Sequence, residues 1–95
     1  MSEVKHDPKA KEFYVETEKG KATLNYAPEG KDVLNFHHTF VPPELRGQGL
    51  AEQIVTAGFE YVQQHNLKVN PTCPYVARLV MKNSEWKKFV VRENV

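Results

Sequence analysis

The sequence predicts an α+β fold: a small mixed sheet, an antiparallel meander plus a parallel strand, with helices packed on it. Three observations lead there. Short β-rich runs separated by turn signals fill the first part of the chain, one long amphipathic segment follows, and another apolar run comes directly after it. With 95 residues the chain supports one domain and one small core. The expected division is a loose N-terminal segment over residues 1–11 and a single domain over residues 12–95.

Each element has a local reason. Phe13-Tyr14-Val15 is a short β-rich run, and Glu18-Lys19-Gly20-Lys21 reads as a hairpin turn. Beyond it Ala22, Leu24 and Tyr26 alternate onto one face of a second strand. Pro28-Glu29-Gly30-Lys31 is the next turn. Residues 33–41 form a third strand, on which strict alternation places Leu34, Phe36, His38 and Phe40 on one face. Pro42-Pro43 cannot continue a ladder and ends it. From Gly49 to His65 the residues Leu50, Ile54, Ala57, Gly58, Tyr61 and Val62 recur at helical spacing, with Asn66 as terminator. Leu67-Lys68-Val69 is a fourth strand, and a strand–helix–strand connection of this length sets it parallel to the third. After Pro71-Thr72-Cys73-Pro74 a short helix carries Val76, Leu79 and Val80 on one side. A final helix, with Ser84 as its cap, carries Trp86 and Phe89.

Composition excludes several function classes. A formal net charge of +1 leaves no broad basic bias, and no basic stripe interleaved with aromatics appears, so nucleic-acid binding is not expected. No apolar run approaches the ~20 residues needed to span a bilayer, and no signal segment is visible. The single cysteine, Cys73, cannot form an internal disulfide. These features point to the cytoplasm and to no membrane partner. His37 and His38 point apart on a regular strand, His6 lies in the loose segment and His65 at a helix end, so no metal site is expected.

The chemistry concentrates where the third strand becomes the long helix, over Arg46-Gly47-Gln48-Gly49-Leu50-Ala51. Two glycines let the backbone approach a ligand closely, and the free N–H groups of the helix's first turn favour an anion. The alternative is a tight strand-to-helix turn with an exposed arginine. The Walker pattern is absent, since no Lys-Ser or Lys-Thr follows the loop, and the dinucleotide fingerprint lacks its third glycine.

The spacing Arg46-x-x-Gly49-x-Ala51 resembles the acetyl-CoA-binding motif of the GNAT N-acetyltransferase superfamily, Gln/Arg-x-x-Gly-x-Gly/Ala. The wider string, from His38-Thr39 and Val41-Pro42 through this loop to Pro71-Thr72-Cys73-Pro74-Tyr75-Val76, resembles a subfamily of very short GNAT-like proteins. The resemblance implies a truncated GNAT-like fold with acetyl-CoA as co-substrate and no metal. The pyrophosphate would rest on the N–H groups of Gly47, Gln48, Gly49, Leu50 and Ala51, beside Arg46. The pantetheine arm would run along Phe40 and Val41, with the thioester in the cleft where the third and fourth strands diverge. The chain departs from larger members in lacking their leading helices, which usually help to build the acceptor site.

Two residues are candidates for catalysis. His38, placed beside that path and partly buried, would accept a proton from an incoming amine; the alternative is a core histidine with its hydrogen bonds satisfied. Cys73 precedes Pro74, which suits a first helical position, so its thiol would feel the helix dipole; the alternative is a small buried apolar residue. Either an amine attacks acetyl-CoA directly with His38 as base, or Cys73 takes the acetyl group first. Tyr75 is a secondary candidate for protonating the leaving thiolate. The expected activity is acetyl transfer to a protein or small-molecule amine by a monomer or homodimer. The rival is a CoA-binding sensor or interaction module without catalysis.

Overall fold

In the computed structural model, which describes residues 4–91, five strands form one sheet in the order β1-β2-β3-β4-β5. They are β1 (Lys5–Asp7), β2 (Glu12–Thr17), β3 (Gly20–Glu29), β4 (Val33–Phe40) and β5 (Lys68–Asn70). The first four make an antiparallel meander, and β5 returns parallel to β4 after α1 (Leu50–Gln64). Two shorter helices follow, α2 (Pro74–Lys82) and α3 (Ser84–Lys87). This is the α+β mixed sheet that the sequence predicts.

The core lies on one sheet face. Phe13 and Val15 of β2, Ala22, Leu24 and Tyr26 of β3, and Leu34 and Phe36 of β4 meet Ile54, Val55, Phe59 and Val62 of α1, all of them buried. Val76 and Val80 of α2 join the same cluster. Gly58 sets how closely α1 approaches the sheet: a β-carbon there would sit 3.0 Å from two ring atoms of Phe36 and 3.2 Å from Leu24. Trp86 of α3 stacks on Phe59, its ring centroid 4.6 Å away, which fixes the last helix to α1.

Two local expectations are revised. Of the segment expected to be loose, residues 1–3 lie outside the described residues, and Lys5–Asp7 form an edge strand. His6 anchors that strand by stacking on Phe13 at 4.2 Å and sharing a 2.6 Å hydrogen bond with the Tyr26 hydroxyl. The final helix is shorter than expected. It ends at Lys87, its cap residue is Asn83 with no side-chain capping bond, and the chain turns so that Val90 bridges β5 at Val69. Ser84 is therefore the first helical residue rather than the cap.

The feature that shapes the functional end is a bulge in β4. Asn25 pairs with His38 and Tyr26 with Phe36, so His37 is one residue too many on its strand. Side-chain alternation resets there. Leu34 and Phe36 face the helices before the bulge, and Thr39, opposite the fully buried Leu24, faces them after it. His38 and Phe40 lie opposite Asn25 and Thr23, on the outer face. The expectation that His38 and Phe40 share the face of Leu34 and Phe36 is corrected, because strict alternation carried through the bulge inverts everything beyond it.

Candidate functional site

Among the described residues, β4 has no strand partner on its β5 side past the bulge. The parallel pairing covers only Val33–Asn35 against Lys68–Asn70, and the last link is the Cys73 N–H donating to the Phe36 carbonyl at 3.0 Å. Beyond that link β4 and the following chain separate.

A cavity of about 300 Å³ lies at this separation, between the end of β4 and the first turn of α1. Thr39 and Val41 form one wall, the loop residues Leu45, Arg46, Gly47 and Gly49 another, and Leu50, Ala51 and Tyr75 the helical side. The loop follows from its sequence. Pro43 opens a short 3-10 turn, Pro43–Leu45, and the buried Leu45 pins it to the core. Gly47 and Gly49 then take left-handed φ values of +82° and +75°, and a β-carbon at either would meet nothing within 4 Å. Glycine is needed at both for backbone conformation and not for space. Gly49 caps α1 without a side-chain bond. The N–H groups that open the helix therefore point into the loop with no side chain competing for them.

Arg46 is exposed, and its Nε donates to the Val41 carbonyl at 3.0 Å, tying the loop back to the end of β4. Of the residues the sequence assigns to cofactor binding, Val41, Arg46, Gly47, Gly49, Leu50 and Ala51 converge on the cavity. Gln48 does not; it borders a neighbouring hollow with Thr17, Glu18, Lys19 and Leu45. Phe40 is 46% exposed on the outer face. Thr39, Leu45 and Tyr75, which the sequence does not assign to cofactor binding, complete the lining.

Cys73 is buried immediately before α2, with Pro74 as the first helical residue. Its Sγ lies 3.5 Å from Thr39 Oγ1. Burial is the strongest influence on the thiol and raises its pKa, but it is outweighed. The Thr39 hydroxyl and the backbone N–H groups of Val76, Tyr75 and Thr39 together hold the thiol below its ordinary value. The sulfur makes no full capping bond to α2, so the N–H groups of Tyr75 and Val76 act as oriented dipoles at the helix start. Tyr75, on the cavity wall, has its phenol pKa raised by burial first and by Glu52 second, with Arg78 opposing, and stays protonated at neutral pH.

His38 is exposed, and its strand partner Asn25 binds Glu12 and Thr23 on the outer face. The structure thus separates His38 from Cys73 and seats Thr39 against the sulfur. Among the described residues no group of three His, Cys, Asp or Glu side chains is placed to hold a metal ion, and no helix is long and apolar enough to cross a membrane.

The sequence pattern of the family described as GCN5-related N-acetyl-transferase matches residues 12–89. The chain belongs to the GCN5-related N-acetyltransferase family. It is 34% identical to Protein NATD1 of Gallus gallus over 83 residues, covering 85% of this chain and 76% of that protein. Against Protein NATD1 of Homo sapiens the identity is 33% over 82 residues, covering 84% and 73%. The NMR solution structure of a GCN5-like protein from Staphylococcus aureus shares the fold, with a TM-score of 0.76 over 97% of this chain and 91% of that one at 24% identity. Membership in this acetyltransferase family implies an acetyl-CoA site.

Proposed function

We propose that the chain binds acetyl-CoA at the junction of β4 and α1 and transfers the acetyl group to an amine. The cavity walled by Gly47, Gly49, Leu50 and Ala51 on one side and by Thr39 and Val41 on the other carries this reading. Its two halves suit the two halves of the ligand. Unpaired N–H groups at a helix start suit a diphosphate, and the unpartnered edge of β4 suits an amide-containing arm that pairs with it as a strand would. An arm laid along Val41 and Thr39 brings the thioester toward Tyr75 and Cys73.

In direct transfer the amine nitrogen attacks the thioester carbonyl, the new C–N bond forms, and the C–S bond to CoA breaks. The CoA thiolate takes the Tyr75 phenol proton, and Tyr75 recovers one from water. The attacking amine gives up its own proton to water. With His38 on the outer face, the imidazole serves as base only for an amine that arrives on that side, through the gap beyond the β4–β5 pairing.

The placement of Cys73 supports a second route. The Cys73 thiolate attacks the thioester carbon, the S–C bond to Cys73 forms, and the C–S bond to CoA breaks. The amine then attacks acetyl-Cys73: the C–N bond forms, the S–C bond to Cys73 breaks to return the thiolate, and the proton lost by the amine goes to water.

The test is acetyl-CoA binding followed by turnover. Saturation at 100 times the dissociation constant adds about 2.7 kcal/mol of stability, which raises Tm by roughly 10–20 °C in a domain of this size. No rise in Tm overturns the reading, and a rise without amine acetylation leaves a non-catalytic CoA-binding module. An acetyl adduct on the wild-type chain that is absent from Cys73→Ala marks the covalent route. Undiminished turnover in Cys73→Ala marks direct transfer.

A further inference from the structure

We propose that Thr39 is the positioning residue for Cys73, its hydroxyl donating a hydrogen bond to the sulfur so that the cysteine stands ready as a thiolate. The inference rests on the covalent route above and deepens it. It adds a side-chain hydrogen bond from Thr39 to the helix dipole that the sequence assigns to the Cys73 thiol.

Cys73 is attached to β4 at two points that straddle the bulge. Its backbone N–H donates to the Phe36 carbonyl at 3.0 Å, and its sulfur meets Thr39 Oγ1 at 3.5 Å. The extra residue, His37, gives Phe36 and Thr39 the same face despite their odd separation in sequence. Without it Thr39 would face outward and its hydroxyl would not meet the sulfur. Thr39 also lines the cavity, so one hydroxyl touches both the space assigned to the thioester and the nucleophile.

The bond reverses with ionisation. In the thiol form the S–H donates to Oγ1; in the thiolate form the hydroxyl donates and the sulfur accepts. The second arrangement is the stronger because its acceptor is charged. During transfer the thiolate loses that charge as its S–C bond to the acetyl carbon forms, and it regains the charge when the amine displaces it, so the hydroxyl stabilises the same leaving sulfur in the second step.

The ionisable side chains on the two elements that Cys73 joins are Tyr75, Arg78 and Lys82 on α2 and His37 and His38 on β4; Glu52 on α1 influences Tyr75. None of them figures among the influences on the Cys73 thiol, which are burial and hydrogen bonds. Threonine supplies the one side-chain hydroxyl among those hydrogen bonds.

Cys73 is the only cysteine of the chain, so alkylation by iodoacetamide reports on it alone. The pH midpoint of the alkylation rate is measured for wild type, Thr39→Val, Thr39→Ala and Thr39→Ser, each first checked for a cooperative melt. Loss of the hydroxyl is expected to raise the midpoint by about 0.5–1 pH unit, cutting the thiolate fraction at neutral pH roughly three- to ten-fold. Serine is expected to keep the wild-type midpoint. Thr39→Ala covers the case in which the branched variant fails to fold. An unchanged midpoint in the valine and alanine variants overturns the proposal, as does a serine variant that behaves like valine. Intact-mass analysis of the wild type with acetyl-CoA separates this from the covalent route. A raised midpoint in the variants with no acetyl adduct on the wild type upholds the hydrogen bond and overturns the acetyl-cysteine instead.

Discussion

Gly49 and Gly30 form a matched pair that isolates what the α1 loop does. Both have left-handed backbone, φ +75° and +70°, and a β-carbon at either meets nothing within 4 Å. Alanine at each therefore brings the same perturbation, backbone strain without a clash, worth about 1–2 kcal/mol. In a domain of this size that lowers Tm by roughly 4–16 °C, and by a similar amount in both variants. Binding should separate them. Gly30 sits in the turn between β3 and β4, away from the cavity, whereas Gly49 caps α1 and orients the N–H groups of Leu50 and Ala51. If the chain relieves the strain at Gly49→Ala by leaving the left-handed region, those donors swing off the diphosphate. Losing one hydrogen bond to a charged group costs about 1.5–3 kcal/mol, which is roughly a ten- to hundred-fold weaker Kd. Isothermal titration with acetyl-CoA is the assay. Gly30→Ala is expected to bind like wild type and Gly49→Ala at least ten-fold more weakly. Equal affinities in the two variants, with equal losses of Tm, would refute the loop assignment.

Other perturbations test the packing that supports this loop. Gly58→Ala gains about 1 kcal/mol of helix propensity, yet its methyl presses on Phe36 at 3.0 Å, and overpacking costs about 1–3 kcal/mol. Phe36 is fully buried between the rings of Phe13, Tyr26 and Phe59, so it cannot yield. Tm is expected to fall; a rise would show that the helix can move off the sheet. Burial, aided by His65 and opposed by Asp7, holds His6 below its ordinary pKa of 6.5. The unfolded chain then binds more protons in that window. The contribution of His6 to stability is complete above 6.5 and is lost as pH falls through the folded-state value. Melting curves between pH 7.5 and pH 5 should therefore show a steeper loss for wild type than for His6→Gln, and parallel losses would contradict this. His38→Ala should leave the alkylation midpoint of Cys73 unmoved, because the imidazole lies on the other face of the sheet.

Much of the fold is legible because its elements are locally consistent. Ala22, Leu24 and Tyr26 alternate in sequence and are all buried on β3, and the helical period from Leu50 to Val62 places its apolar side on the sheet. The turns at Gly20 and Gly30 fall where glycine takes positive φ. What escapes is held by contacts distant in sequence. Lys5–Asp7 carry no apolar pattern, and their strand exists because His6 finds Phe13, Tyr26 and Tyr61. Val90 leaves the helical path to pair with Val69 across the end of the sheet. No window along the chain contains either partner.

The site shows the same limit in sharper form. The glycine loop is readable, since positive φ and a helix start are local properties of the chain. The face on which β4 presents its last residues is not, because one unpaired residue inverts it. With His37 in the ladder, His38 would face the cleft; with His37 bulged out, Thr39 does. The bulge costs some pairing between β3 and β4, but it falls where β4 parts from β5 and where the strand edge becomes free for a ligand. A regular strand would put an imidazole at the mouth of the cavity and leave the Cys73 sulfur without a side-chain partner. The bulged strand instead puts a hydroxyl against that sulfur and turns His38 to the outer face. The chemistry open to this site therefore turns on the backbone register at a single position more than on which reactive residues the chain contains.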